Sequence, residues 1–431
     1  MELTDFDCNQ FIAILQEELV PALGCTEPIA IAYAGAHARA LLGKIPDRVC
    51  IKSSGNIIKN VKSVTVPNSG NMKGIPAAAA IGIIGGNPDK GLEVLADITE
   101  ADIARTKEFL EKVPCKVSLL DTVASLHFIV EVFAGADSAS VEIIHQHTNI
   151  VRTTKNGKDV LKVPFDPASA NAALTDRSGL SVKKILEFAD TIGLDRVRPI
   201  LERQIDYNTR IAQEGLEHRY GINAGANLLK AAEAEQAVTV KIRAQAAAAA
   251  GSDARMSGCT LPVVTNSGSG NQGLTASLPV IVFAEEKKLP HDKLLRGLLV
   301  SNLIAIHQKT RIGRLSAYCG AVSAGCGSGA AITYLSGGSY EQVCETITNT
   351  LAVVSGIVCD GAKPSCASKI ATSVDAALNA HYLAMHDRVF EPGEGIVKGD
   401  IEKTIAGVGA VAADGMRETD KVILRIMVED A

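Results

Sequence analysis

Hydrophobic and polar positions follow a helical spacing at both ends of this chain and drop to a period of two between them. Over residues 4–20 Phe11, Ile12, Leu15 and Leu19 fall on one helical face, Thr4 and Asp7 are placed to cap its start, and Pro21 ends it. The compact turn Leu23-Gly24-Cys25-Thr26-Glu27 follows, and Pro28 opens a second helix of small residues that runs to Leu42. Strand and helix signals alternate over 48–66, and 91–112 reads as helix. The segments 115–120, 127–133, 140–145 and 149–153 then predict strands, with Gly135-Ala136-Asp137 as a hairpin turn. Helical spacing returns over 166–395, in a stretch rich in Ala and Gly, and the tail predicts a helix near 400–412 and a strand at 421–428. The pattern is that of an α+β chain in three parts. Residues 1–87 form a helical and loop segment that packs on the main domain, 88–165 a small inserted α/β domain, and 166–431 a mostly helical domain.

Composition narrows the function. Of the 431 residues 47% are hydrophobic but only 4% aromatic, with no Trp. Gly and Ala therefore carry much of the packing and suit close approach of helices and of backbone to a ligand. A net charge of −5 without a basic run argues against nucleic acid as the main partner. The acidic, amphipathic start is not expected to act as a signal peptide. No stretch supplies the ~20 apolar residues of a membrane helix. The expectation is a cytoplasmic protein with reduced thiols and no membrane partner. Ala/Gly-rich helical proteins of this size are often dimers, so a homodimer is an expected assembly.

Ten cysteines in such a chain point to metal or redox chemistry rather than disulfides. Cys344 sits on a helical pattern opened by Ser339 and Gln342 and reads as core, as do Cys8, Cys50 and Cys115 in amphipathic or strand patterns. Cys259 reads as packing. Cys359 and Cys366 bracket a Gly/Pro turn, with Cys366 in the first turn of the next helix, where unpaired N–H groups favour a thiolate. Cys25 shares that logic, so a lowered pKa is expected for both. Cys319 and Cys326 lie seven apart among very small residues. On spacing alone these thiols suggest a metal or iron–sulfur site drawn from distant segments, without the Cys-x2-Cys pairs of zinc ribbons and ferredoxins. A structural zinc site remains open, and no Lys stands in a Schiff-base context for pyridoxal phosphate. His145 and His147, at the end of a predicted strand, are expected on the surface. His307, close to Lys309 and Arg311, is expected to approach the cysteines.

Two loops, 66–74 and 264–273, both carry Asn-Ser-Gly, then Asn and Gly, then an apolar run. Neither is a phosphate-binding fingerprint, which argues against a nucleotide. Either they are two surface turns, or their backbone N–H groups and short donors, at Asn68, Ser69, Asn266, Ser267, Gly268 and Asn271, receive an anion such as an amino-acid carboxylate.

The run Thr265-Asn266-Ser267-Gly268, the small-residue segment around Cys319, Val358-Cys359-Asp360 and Pro364-Ser365-Cys366 together resemble the iron–sulfur L-serine dehydratase alpha region. Over its whole length the chain more closely resembles the related L-cysteine desulfidase family, most specifically at Gly24-Cys25-Thr26-Glu27-Pro28-Ile29-Ala30 and Cys359-Asp360-Gly361-Ala362-Lys363. The resemblance implies that 166–431 is the catalytic domain, and that Cys319, Cys359 and Cys366 hold a [4Fe–4S] cluster, with Cys326 as the alternative to Cys319. It implies β-elimination of a small amino acid, L-cysteine or L-serine. Cys25 is expected at the substrate as acid/base or as a further ligand, with Thr26 and Glu27 beside it.

Overall fold

The computed structural model describes residues 3–62, 64–168 and 174–429. The strands are β1 (Pro21–Leu23), β2 (Arg48–Ser53), β3 (Cys115–Leu119), β4 (His127–Ala134), β5 (Asp137–Ile144), β6 (Ile150–Lys155), β7 (Lys158–Lys162) and β8 (Pro262–Val264). Six of them form one sheet in the order β3-β2-β4-β5-β6-β7, parallel only between β2 and β3. Val49 and Ile51 of β2, Phe128, Val130 and Val132 of β4, and Val141 and Ile143 of β5 alternate onto one face and are fully buried. The helices Thr26–Leu42 and Gly74–Gly85 cover that face. These two helices meet backbone to backbone: a Cβ on Gly82 would stand 2.1 Å from the Ala32 carbonyl oxygen. Gly82→Ala therefore forces the helices apart and is expected to cost about 1–3 kcal/mol, read as a lowered thermal midpoint with the helical signature retained.

A second core is all helical. Val240–Met256, Gly270–Glu286, His291–Ile312, Gly320–Leu335, Tyr340–Val353 and Cys366–Ala384 pack around it. The first helix, Asp5–Glu18, capped by reciprocal Thr4–Asp7 hydrogen bonds, docks on this core through Phe11, edge-on to Phe188 at 5.3 Å.

The α+β class stands, with a largely helical part and a smaller sheet part. The boundaries at 87 and 165 do not follow the packing. The sheet takes β2 from the first segment, because Val49 and Ile51 need the same covering helices as β4, while residues 5–18 belong to the helical core. The expected strand at 421–428 is the helix Arg417–Glu429. Lys59 ion-pairs with its Asp420, and Lys62 donates to the Met427 carbonyl. A short apolar run carries no period that separates the two forms. Among the described residues no helix is long and apolar enough to cross a membrane.

Candidate active site

β1 and β8 pair antiparallel, and each feeds a turn that starts a helix. After β1, Gly24 takes φ +51° under Pro67, where a Cβ would stand 2.1 Å from the ring, and Cys25 becomes the N-cap of Thr26–Leu42. After β8, Asn266 and Ser269 exchange backbone hydrogen bonds across Ser267 and Gly268, both at positive φ, and Gly270–Glu286 begins. The Thr26 hydroxyl lies 3.1 Å from both the Gly268 carbonyl and Glu27 Oε2, and so ties the turns together. Across from them, Cys319 is the N-cap of Gly320–Leu335 and Cys366 the first residue of Cys366–Ala384. Cys359 is extended: its N–H donates to the Ala317 carbonyl at 2.6 Å, and the Cys319 N–H donates to Ile357 at 2.9 Å.

Four helix N-termini thus face one cavity of about 90 Å³, lined by Cys25, Glu27, Ser267, Gly268, Asn271, Cys319, Cys359 and Cys366 among others. The cavity lies on the seam between the cores. Cys25 and Cys366 pack with the sheet-side core, Cys319 and Cys359 with the helical one.

The expected thiolate at Cys25 is reversed. Burial pushes its pKa well up, the Glu27 charge adds to this, and the thiol donates to Glu27 Oε2 at 3.1 Å. The helix N-terminus does not offset them. Glu27 also receives Asn60 Nδ2 at 3.0 Å. Burial opposes the Glu27 charge, but the positive charge that His147 carries in acid, the Cys25 thiol and Arg255 hold its pKa below the ordinary value, so it is a carboxylate. The Cys366 thiol is likewise raised by burial rather than lowered. Cys359 is the thiol shifted down. Cys319 donates to it, against burial, and the Gly361 N–H, Lys59 and Lys369 favour its negative charge. Lys309, buried against Cys319 and Cys359, is pushed down to about 8 by desolvation.

Thr26 and Asn266 stand one layer behind the cavity, Asn266 donating to Asn302 Oδ1 at 3.0 Å. Asn68 and Ser69 stand apart from it. Asn68 donates to the Leu95 carbonyl at 2.8 Å and Ser69 to Val66 at 2.7 Å, so these donors are spent on backbone carbonyls away from the cavity. Cys326 is buried in the helical core facing the Ile347 carbonyl. His307 pairs with Glu402 at 2.6 Å, away from the cysteines. His147, expected on the surface, is buried and lines the cavity, its pKa driven down to about 4 by burial, so the ring is neutral. Sequence reasoning also missed Arg255 and Arg314 as lining residues, and met Lys309, which does reach the cavity, only as a neighbour of His307. The sequence offers no separate signal for Arg255, which shares the helix Val240–Met256 with Lys241, Arg243 and Asp253.

Among the described residues several lining atoms find no partner: Asn60 Oδ1, His147 Nε2, Arg255 Nε, Asn271 Oδ1, Gln272 Oε1, Arg314 Nε and the Tyr318 hydroxyl. Buried polar groups are rarely left so, and a cluster of them marks a place for a polar ligand. Among the described residues no three His, Cys, Asp or Glu side chains close on one point as a single ion requires. Three thiols around a shared cavity, with Lys309, Lys59 and Lys369 close to Cys359, suit a larger, anionic group.

Residues 89–425 match the family model described as serine dehydratase alpha chain. The chain is 58% identical over all 431 residues to a UPF0597 protein of Treponema denticola, the match covering 100% of both chains. It is 54% identical over 420 residues to one of Lachnoclostridium phytofermentans, covering 97% of this chain and 99% of that one. A UPF0597 protein of Desulfitobacterium hafniense is 51% identical over 428 residues, 99% of this chain and 98% of the relative. The cysteines at 319, 359 and 366 and the turn at 266–271 all lie inside the matched stretch, and the chain belongs to the serine dehydratase alpha chain family.

Proposed function

We propose that this protein is a lyase that eliminates the β-substituent of a small amino acid, with L-cysteine as substrate and pyruvate, sulfide and ammonia as products. The observation that carries the reading is the single cavity joining Cys319, Cys359 and Cys366 to the Cys25–Glu27 pair. The three cysteines would hold a [4Fe–4S] cluster, which when bound supplies a Lewis-acidic iron for the leaving sulfur. The lysines and helix N-termini around the thiols stabilise the thiolate charge that such a group requires.

The chain's own residues move the protons. Glu27 is ionised and accepts from Cys25 at 3.1 Å. As the Cys25 sulfur takes the substrate's α-proton, its own proton passes to Glu27 Oε2. Lys309, on the side of Cys319 and Cys359, gives a proton to the departing sulfur. The carbon–sulfur bond breaks with its electron pair on sulfur, which leaves as hydrosulfide when the substrate is bound as its thiolate. The aminoacrylate released tautomerises and hydrolyses to pyruvate and ammonia. Thr26 and Asn266 fix the two turns rather than touch substrate.

The family description favours a second reading, elimination of water from L-serine at the same site. Protein purified and reconstituted without oxygen is expected to show the broad visible absorption of an iron–sulfur cluster and to release sulfide and pyruvate from L-cysteine. Iron-free, colourless protein after reconstitution defeats the cluster assignment, and a faster rate on L-serine assigns the hydroxyl substrate instead.

A further inference from the structure

Arg255 lies in the last turn of the helix Val240–Met256 and is 3% exposed, yet its Nε has no hydrogen-bond partner among the described residues. Among the described residues Arg243 pairs with Glu286 and Arg314 with Glu18, while Arg255 forms no ion pair. A buried, unpaired guanidinium is costly, and a protein that keeps one ordinarily provides it with an anion. Its own helix C-terminus offers only partial charge.

The surroundings of Arg255 are shaped to leave it free. It stands against Gly270, the first residue of Gly270–Glu286, where a Cβ would lie 2.3 Å from its Nε, so only glycine admits the guanidinium there. The N–H groups of Gly270, Asn271 and Gln272 have no intrahelical partners at that helix start. Asn271 Oδ1 and Gln272 Oε1 beside them are unpartnered as well. A guanidinium laid on the positive end of a helix repels it unless a negative group lies between them. Glu27, the carboxylate on the same cavity, is engaged by Cys25 and Asn60 and forms no ion pair with Arg255.

Resting on the amino-acid reading above, we propose that Arg255 and the first N–H groups of Gly270–Glu286 form the subsite for the substrate's α-carboxylate. The protein then takes α-amino acids only with a free carboxylate and rejects their amides, esters and decarboxylated amines. Asn271 and Gln272 complete the subsite, their oxygens placed to accept from the substrate's ammonium.

The test is equilibrium binding, by titration calorimetry, of L-alanine and L-alaninamide to the iron-reconstituted full chain under anaerobic conditions. Neither probe has a leaving group, so failure of the elimination reading would show in the sulfide assay and leave this measurement intact. L-Alanine is expected to bind on the order of 100-fold more tightly than its amide. Arg255→Gln is expected to collapse that ratio towards one by weakening L-alanine alone, and Arg255→Lys to keep part of it, since lysine keeps the charge without the fork. Equal binding of the two probes to the wild-type protein overturns the proposal. So does an unchanged ratio in Arg255→Gln or, should that variant not fold, in Arg255→Lys.

Discussion

Cys359→Ala is expected to yield folded protein that retains no iron after anaerobic reconstitution. Cys359 lies on an extended segment fixed by backbone hydrogen bonds to residues 317–319, so its side chain adds little to the fold. It is also the thiol of the cavity whose surroundings favour the charged form, with Cys319 donating to it and Lys59 and Lys369 nearby. A thiolate is the form that binds metal, and a three-thiol holder reduced to two loses most of its affinity. Iron content and visible absorption are the readout, with unfolding curves to show that the fold persists. Cys326→Ala is the control. That sulfur is buried in Gly320–Leu335, seven residues past its N-cap Cys319 and outside the cavity lining, so this variant keeps its iron. Iron retained at full stoichiometry in Cys359→Ala would remove Cys359 from the holder.

Cys25→Ala tests whether the proposed proton-moving pair is distinct from the proposed metal-holding set. The variant is expected to keep its iron and to lose on the order of 10²–10⁴-fold in turnover, the usual contribution of a positioned acid or base. The argument rests on the protonated state of Cys25. Its pKa is pushed up by burial and by Glu27, so it stands at neutral pH as a thiol poised between the cavity and a carboxylate. Glu27→Gln removes the acceptor and is expected to fall by a similar factor. Loss of iron in Cys25→Ala would instead make Cys25 a ligand.

Much of this was legible in the sequence, and the misses have physical causes. The capped first helix, the strands from residue 115 to 155 and the Gly135 hairpin follow from local period and turn chemistry. The thiols at 25, 359 and 366 were singled out by the turns and helix starts they occupy and Cys319 by its small neighbours, and the four meet in one cavity. The protonation states of Cys25 and Cys366 were misread, because a helix terminus can be located in a sequence whereas the burial that opposes it cannot. Asn68 and Ser69 were misplaced for a related reason. Two loops of like composition differ in what their donors already serve, and that depends on contacts such as Asn68 with Leu95. His147 and Arg255 reach the cavity only through tertiary packing, and one residue of either kind leaves no periodic trace.

The distribution of thiols over the seam has a mechanical consequence. Cys366 packs with the sheet-side core, whereas Cys319 and Cys359 pack with the helical core. Whatever bridges these three sulfurs is also a rivet between two halves of the molecule. Occupancy of the site then sets how firmly the halves are clasped, and a protein stripped of its bridging group by oxygen would present a loosened joint to a protease before it lost either core.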